Sequence, residues 1–325
     1  MSEKVEFRNT SFDEGFGIFK QIADESFDVV NENNLKLFML ETENKLFSYD
    51  QLYDYVLHNV ARYVFNRKKI SETESDPIKQ QKILFEAIDQ LKSVESKEGK
   101  NTQKGAGAEL GEILLYLFLE QDMRAPKLLS KFELKTNPED YVKGSDAIHF
   151  RFKINADGKK IMQLVVGEAK IYDKIKGTSG ALQAAFNSIK TYIDNSCQER
   201  ALIDTHLMNQ FVDAEEAAEI KSFILAVPRP KRETVFGIFI GYTSPYNSET
   251  DSNDVYDQKI VEENKQHILS IKQDIINEIS RHNISNYQFN FYFLPFHNAA
   301  KDRKHIMGLI KKKETRYTDR GRLDE

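Results

Sequence analysis

The chain has 325 residues, of which 40% are hydrophobic and 30% are charged, with 15 glycines and 7 prolines. This composition is that of an ordinary globular protein, and the length allows one elaborate domain or two. The formal charge of −5 argues against a protein that coats nucleic acid by bulk electrostatics, although it allows a local basic face.

Cysteine content and hydropathy indicate the compartment. The single cysteine, Cys197, excludes an intrachain disulfide and a cluster of thiolate metal ligands. No apolar run reaches the roughly 18 residues of a membrane span. The first residues lack the basic-then-apolar layout of a signal peptide. We therefore expect a cytoplasmic protein without a membrane partner.

The first hundred residues are predicted to be mainly helical. Apolar residues recur at helical spacing between positions 52 and 64. A second helix is predicted after Asp76-Pro77, an N-cap followed by a residue that suits the first helical position. Because no catalytic pattern is present here, residues 1–100 are interpreted as an accessory or partner-docking region. The polar stretch up to Gly107 is the predicted boundary, with a second domain over residues 101–325.

A buried helix with two acids near its start is predicted from about Ala108 to Gln121. Residues 113–119 are apolar without a break, so this helix is expected to be buried on more than one side. Glu109 and Glu112 lie one turn apart. A structural role is open for both, because negative charge near a helix N-terminus is favourable. Glu112 shares its face with apolar residues and is therefore the preferred functional acid.

A predicted hairpin brings an aspartate close to a Glu-x-Lys pair. Its turn is at residues 155–158, whose sequence Asn-Ala-Asp-Gly is typical of hairpins. Asp146 lies nine residues before the turn centre and Glu168 ten to eleven after it, so antiparallel pairing places them at the same end. Glu168 and Lys170 share one strand face. Burial of such charges at the end of an apolar strand is unfavourable unless another charge or a metal ion binds them.

A basic loop containing Lys174 follows, and then a helix from about residue 181 to 193 with Gln183 and Lys190 off its apolar stripe. Further strands are predicted at 131–135, 222–227, 235–242 and 289–294, and further helices at 256–281 and 299–312. The fold class is therefore predicted to be α/β (of the α+β type), a mixed sheet flanked by helices. The run from Lys301 to Arg322 is basic, which indicates a solvated helix and tail or a nucleic-acid contact surface. His149 and His297 lie among apolar residues and are interpreted as core or edge histidines.

The grouped charges suit phosphodiester hydrolysis. Mg²⁺ prefers hard oxygen ligands and usually takes only one or two protein carboxylates. Held by Asp146 and Glu168, Mg²⁺ (or Mn²⁺) would lower the pKa of a bound water and stabilise the charge of the transition state. Lys170 would hold or help deprotonate that water. The Ala169 carbonyl is a further candidate ligand, and Glu112, or less favourably Glu109, would bind the metal or orient its waters.

These residues resemble a known pattern. Asp146 followed by Glu168-Ala169-Lys170 is similar to the motif of the PD-(D/E)xK nuclease superfamily, with Ser145 in place of the proline. The preceding helix acid and Gln183 fit the layout of its RecB-like members. More narrowly, residues 107–116, 143–149 and 167–170 resemble the nuclease subunit family of the Hachiman antiphage defence system. The resemblance covers roughly residues 105–310 and is looser before them.

The resemblance implies a restriction-endonuclease-like core and a metal-dependent DNase that cuts DNA within that defence system. It also implies a superfamily 2 helicase subunit as partner, which keeps the nuclease inactive until damaged or phage DNA is sensed. Gln183, Lys174 and Lys190 are the candidate DNA contacts. Two alternatives stay open: a non-catalytic scaffold that binds a helicase or DNA, and a nuclease of DNA repair or restriction. Convergence of Asp146, Glu168 and Lys170 around one point would favour a nuclease over a scaffold.

Overall fold

The computed structural model describes residues 13–28, 32–97, 107–130, 145–154, 158, 160–207, 218 and 232–312. Its strands are β1 (Lys20–Asp28), β2 (Asn33–Met39), β3 (Thr42–Glu43), β4 (Leu46–Phe47), β5 (Lys127–Ser130), β6 (Ala147–Ile154), β7 (Lys160–Tyr172), β8 (Arg232–Thr243) and β9 (Gln288–Phe296). Its α-helices are α1 (Tyr49–Val64), α2 (Arg67–Ser71), α3 (Pro77–Lys97), α4 (Glu109–Gln121), α5 (Ala181–Leu207), α6 (Asn253–Ser270), α7 (Lys272–Arg281) and α8 (Ala299–Lys312). Of the helices in these ranges, none combines the length and apolar character that crossing a bilayer requires.

Seven of the strands that the structure describes form one mixed sheet, in the order β1-β2-β9-β8-β7-β6-β5. The strands β2, β9, β8 and β7 run parallel to one another, whereas β1, β6 and β5 are antiparallel to their neighbours. Strands β8 and β9 are rich in buried Phe and Ile, as expected for parallel strands with both faces covered. The predicted mixed sheet flanked by helices is confirmed.

Helices cover both faces of this sheet, and ring contacts identify which face each layer occupies. Phe118 of α4 contacts Phe239 of β8, whereas Tyr192 of α5 contacts Phe236 of the same strand. Because positions 236 and 239 point to opposite faces, α4 and α5 lie on opposite sides of the sheet. Helices α1, α3 and α8 belong to the α4 layer, while α6 and α7 belong to the α5 layer.

Glycines let α4 lie close against the sheet. A Cβ atom at Gly167 of β7 would lie 2.8 Å from Leu115 Cδ2, and one at Gly237 of β8 would lie 2.5 Å from Leu119 Cδ2. Every residue of α4 from Leu110 to Gln121 is buried, as its unbroken apolar run predicts. The helix that carries the two candidate acids is therefore held tightly over the strand that carries Glu168.

Most predicted elements are present, with one clear correction. The helix predicted over residues 256–281 is wrong as a single element, because it is divided into α6 and α7 at Ile271. The Ser270 hydroxyl donates to the His267 carbonyl and the Ile271 amide to the Ile268 carbonyl, at 2.7 and 3.1 Å. These hydrogen bonds join residues three positions apart, and they replace the regular α-helical bonds between residues four positions apart. The strands predicted at 131–135 and 222–227, and the tail from 313, lie outside the described residues.

The first hundred residues contribute strands as well as helices. The stretch around residues 36–40, which fits a strand or a short helix, belongs largely to β2, and β2 runs parallel to β9 from Asn34 opposite Asn290 to Leu37 opposite Phe293. The region is thus less purely helical than predicted, because β1 and β2 extend the central sheet. The division of the chain near residue 100 stays a prediction.

His149 is a core histidine whose neutral form the fold requires. It is fully buried on β6, and its Nδ1 lies 2.7 Å from the Ala125 carbonyl. Burial lowers the pKa of His149 from 6.5 to about 3, against the hydrogen bond to Ala125, and the charge of Lys127 acts in the same direction as burial. The imidazole is therefore neutral at physiological pH and donates through Nδ1.

This buried imidazole predicts an acid-sensitive stability. The pKa of His149 is lower in the folded state than in the unfolded state, so protonation of this residue favours unfolding. The contribution of His149 to stability is therefore fully present above pH 6.5 and is lost as the pH falls towards 3. Between pH 7.5 and 5.5 we expect His149 to reduce the free energy of unfolding by roughly 1.4 kcal/mol. Urea titrations at both pH values should show that His149→Asn loses about this much of the pH dependence. An unchanged dependence would contradict the assignment.

Candidate active site

The hairpin formed by β6 and β7 places Asp146 beside Glu168. The Asp146 amide donates to the Gly167 carbonyl at 2.8 Å, and Asp146 Oδ2 accepts a hydrogen bond from the Ala169 amide, also at 2.8 Å. These two bonds fix Asp146 against the residues on either side of Glu168. Ladder pairs from Ala147–Gly167 to Ile154–Lys160 give the register expected from the turn.

Glu168 and Lys170 form an ion pair at the end of β7. Glu168 is only 3% exposed and Asp146 only 6%, so both carboxylates lie in surroundings where an unpaired charge is unfavourable. Burial acts to lower the pKa of Lys170, but the charges of Glu168 and Asp146 outweigh it and raise that pKa. The ammonium group therefore interacts with both carboxylates, and the three predicted residues converge.

Alternation along β7 determines which layer these side chains face. Gly111 of α4 lies against Ala169 and Ile171, where a Cβ would be 3.4 Å from Ala169 Cβ and 3.3 Å from Ile171 Cγ1. Ala169 and Ile171 therefore face α4, and Glu168 and Lys170 face the α5 layer. The acids on α4 thus approach the site from the other side of the sheet.

The two acids of α4 have different partners. Glu109 forms an ion pair with Lys311 of α8, at 3.0 Å, and both side chains are largely buried. Glu112 is 7% exposed, and its Oε2 accepts a hydrogen bond of 2.5 Å from the Tyr63 hydroxyl of α1. The pairing of Glu109 with a lysine outside the site leaves Glu112 as the preferred helix acid.

Tyr63 connects Glu112 with the hairpin. Burial raises the pKa of the Tyr63 phenol well above its ordinary value, and the charges of Glu112, Asp146 and Glu109 raise it further. The hydroxyl is therefore protonated and donates to Glu112, with Asp146 close enough for its charge to act on the same group. Sequence reasoning placed Tyr63 in an apolar helical stripe and missed this contact, because the spacing of residues within α1 carries no information about α4.

The donor set fits a hard divalent cation. Asp146 and Glu168 supply carboxylate oxygens, which Mg²⁺ and Mn²⁺ prefer. The Ala169 amide points towards Asp146, and in a strand the amide and carbonyl of one residue point to the same side, so the Ala169 carbonyl also faces the site. Within the described ranges, no three or more His, Cys, Asp or Glu side chains are grouped closely enough to hold a metal. The residues present therefore fit a site with two carboxylate ligands, and Glu112 is not grouped with them.

The candidate DNA contacts lie around the start of α5. Lys174 is exposed in the loop after β7, and Gln183 is half-buried in the first turn of α5. The loop is joined to the helix by hydrogen bonds from the Ala181 and Leu182 amides to the carbonyls of residues 174 and 175, at 2.9 and 3.1 Å. Lys190 lies two turns further on and pairs with Asp194 at 2.7 Å. Lys174 and Gln183 are thus closer to the site along the chain than Lys190.

A family model described as HamA matches residues 17–310 of the chain. The chain belongs to the HamA family. It is a HamA-type component of the Hachiman antiphage defence system, as the resemblance implies. The match begins well before residue 105, so the matched region includes β1, β2 and α1 as well as the hairpin. No curated protein and no solved structure matches the chain.

Proposed function

We propose that this HamA-family chain is a divalent-metal-dependent DNA endonuclease, the effector of its defence system, controlled by a superfamily 2 helicase partner. The observation that carries the proposal is the convergence of Asp146, Glu168 and Lys170 at one end of β7. Two carboxylates and an ammonium group, all largely buried, are residue types that suit metal-dependent phosphodiester hydrolysis.

Each residue has a distinct role in this proposal. Asp146 and Glu168 would hold Mg²⁺ or Mn²⁺, with the Ala169 carbonyl as a further ligand. When bound, the ion supplies charge neutralisation at the phosphate and a more acidic water. Asp146 is already oriented by the Ala169 amide, so little conformational freedom is lost on binding. Lys170, released from its pair with Glu168, would hold the attacking water or a phosphate oxygen.

DNA would lie across the end of the sheet where these residues meet. Lys174 extends into solvent from the loop after β7, and Gln183 lies in the first turn of the helix that follows. Lys190, whose ammonium pairs with Asp194, would contact DNA only after exchanging that partner. The helicase partner would dock on the N-terminal region, residues 1–100.

The decisive test is a cleavage assay on plasmid and linear DNA, with the full chain alone and with its helicase partner, in Mg²⁺ or in EDTA. We expect cleavage that requires the ion and increases when the partner engages damaged DNA. Cleavage in EDTA at the same rate would exclude the metal-dependent mechanism. The absence of cleavage under every condition, with the partner bound, would exclude the nuclease.

A non-catalytic scaffold is the second candidate, and one observation favours it. Lys170 already pairs with and neutralises Glu168, one of the two candidate metal ligands. A scaffold of this kind would bind the helicase or DNA but would leave plasmid DNA intact in Mg²⁺. The same assay therefore separates the two functions, because binding without cleavage is the result that only the scaffold explains.

A further inference from the structure

Tyr63 of α1 contacts the acid on α4, although it belongs to the N-terminal region. It is buried, its hydroxyl donates to Glu112 Oε2 at 2.5 Å, and the charge of Asp146 acts on it from the hairpin. A hydrogen bond to a carboxylate is stronger than one between neutral groups, so this contact orients Glu112 firmly.

A second buried group fixes the turn that carries Tyr63. Lys127 of β5 is fully buried, and its Nζ donates to the carbonyls of Arg62, Tyr63 and Phe65, at 2.9, 3.0 and 2.7 Å. These carbonyls belong to the C-terminal turn of α1 and the residue after it, where helical partners are lacking. The ammonium group therefore caps α1, and the position of Tyr63 relative to α4 is set from the neighbouring strand.

An ordinary core tyrosine would not require this arrangement. A buried hydroxyl needs one partner, and a backbone carbonyl would satisfy it. Here the partner is Glu112, whose neighbour Gly111 lies against Ala169 of the hairpin, and Lys127 holds the turn that presents the hydroxyl to it. The contact thus determines the direction of a functional carboxylate, which is the role of outer groups around metal ligands.

We propose that Tyr63 is a positioning residue that directs the Glu112 carboxylate towards the divalent-cation site of Asp146 and Glu168. This inference rests on the proposed metal-dependent function and adds α1, outside the nuclease motif, to the site. Glu112 then orients the waters of the ion, and Tyr63 limits the directions that its carboxylate adopts. Loss of the hydroxyl weakens cation binding without removing any ligand.

The test is titration of the full-length, DNA-free protein with Mn²⁺ by calorimetry, so that binding is measured without cleavage. Tyr63→Phe removes only the hydroxyl, and we expect the dissociation constant for Mn²⁺ to rise roughly tenfold. The matched control is Tyr55→Phe, two turns earlier on α1, where the ring contacts Phe19. This control should bind Mn²⁺ as the wild type does.

A second pair of variants keeps the test informative if Tyr63→Phe is unstable. Glu112→Gln should raise the dissociation constant by a similar factor, and the double variant should bind no more weakly than the weaker single variant. An unchanged Mn²⁺ affinity in Tyr63→Phe, or a lower melting temperature alone, would overturn the positioning role. A wild-type chain that binds no divalent ion would overturn the proposed function itself, which is a different result.

Discussion

Replacing Glu168 by glutamine is expected to reduce metal-dependent DNA cleavage by roughly a thousandfold or more while the fold is retained. Glutamine preserves the shape of the side chain but removes the charge that would hold the cation. It also removes the ionic partner of Lys170, whose interaction with Asp146 remains. Lys170→Met should produce a loss of similar size, because among the proposed catalytic residues only Lys170 carries a positive charge.

The measurement is the initial rate of plasmid cleavage by the chain with its helicase partner, together with the melting temperature of each variant. The matched control is Glu233→Gln, at the start of β8 and at the opposite end of the sheet, where Glu233 accepts a hydrogen bond from Gln163 at 3.2 Å. The control should cleave like the wild type. Wild-type cleavage by both Glu168→Gln and Lys170→Met would refute the assignment of the site.

Replacing Lys127 by methionine is expected to lower the free energy of unfolding by about 3 kcal/mol. Methionine fills the space of the buried stem, but three carbonyls at the end of α1 lose a charged donor. For a chain of this size, with an unfolding entropy of about 2.1 cal/mol/K per residue, the melting temperature should fall by roughly 4–5 °C. If the same cap positions Tyr63, the variant should also bind Mn²⁺ more weakly.

Thermal unfolding with and without Mn²⁺ checks both effects. The matched control is Lys69→Met, because Lys69 also contacts the region after α1, with its Nζ 3.6 Å from the centre of the Phe65 ring. The side chain of Lys69 is 43% exposed, so its loss should change stability by less than about 1 kcal/mol. Equal melting temperatures for the Lys127 variant and the wild type would show that the cap is unimportant.

The parts of the site that are close in sequence could be predicted. The turn at residues 155–158 and the count of residues on either side were enough to bring Asp146 to Glu168, because hairpin register follows from the turn. The unbroken apolar run of α4 correctly indicated a helix buried on more than one side. These inferences depend on local geometry, which a single sequence carries.

The contacts that define the helix acid are distant in sequence and could not be predicted. Tyr63 and Glu112 are 49 residues apart, Lys127 is 62 to 65 residues from the carbonyls it caps, and Lys311 is 202 residues from Glu109. Periodicity places each residue on a face of its own element but does not identify the element that covers that face. The sequence alone therefore could not show that Glu109 pairs with Lys311 and that Glu112 accepts a hydrogen bond from Tyr63.

The pairing of β2 with β9 has a consequence for how the protein is made. The Asn33 side chain at the start of β2 accepts a hydrogen bond from the Phe289 amide, 256 residues later. At typical rates of translation, a ribosome needs roughly ten to fifty seconds to synthesise that length. During this time β2 lacks its parallel partner β9, so one edge of the β1–β2 pair is uncovered. An amino-terminal fragment that ends before β9 is therefore expected to expose an unpaired strand edge and to aggregate, so a fragment for biochemical work should extend at least through β9.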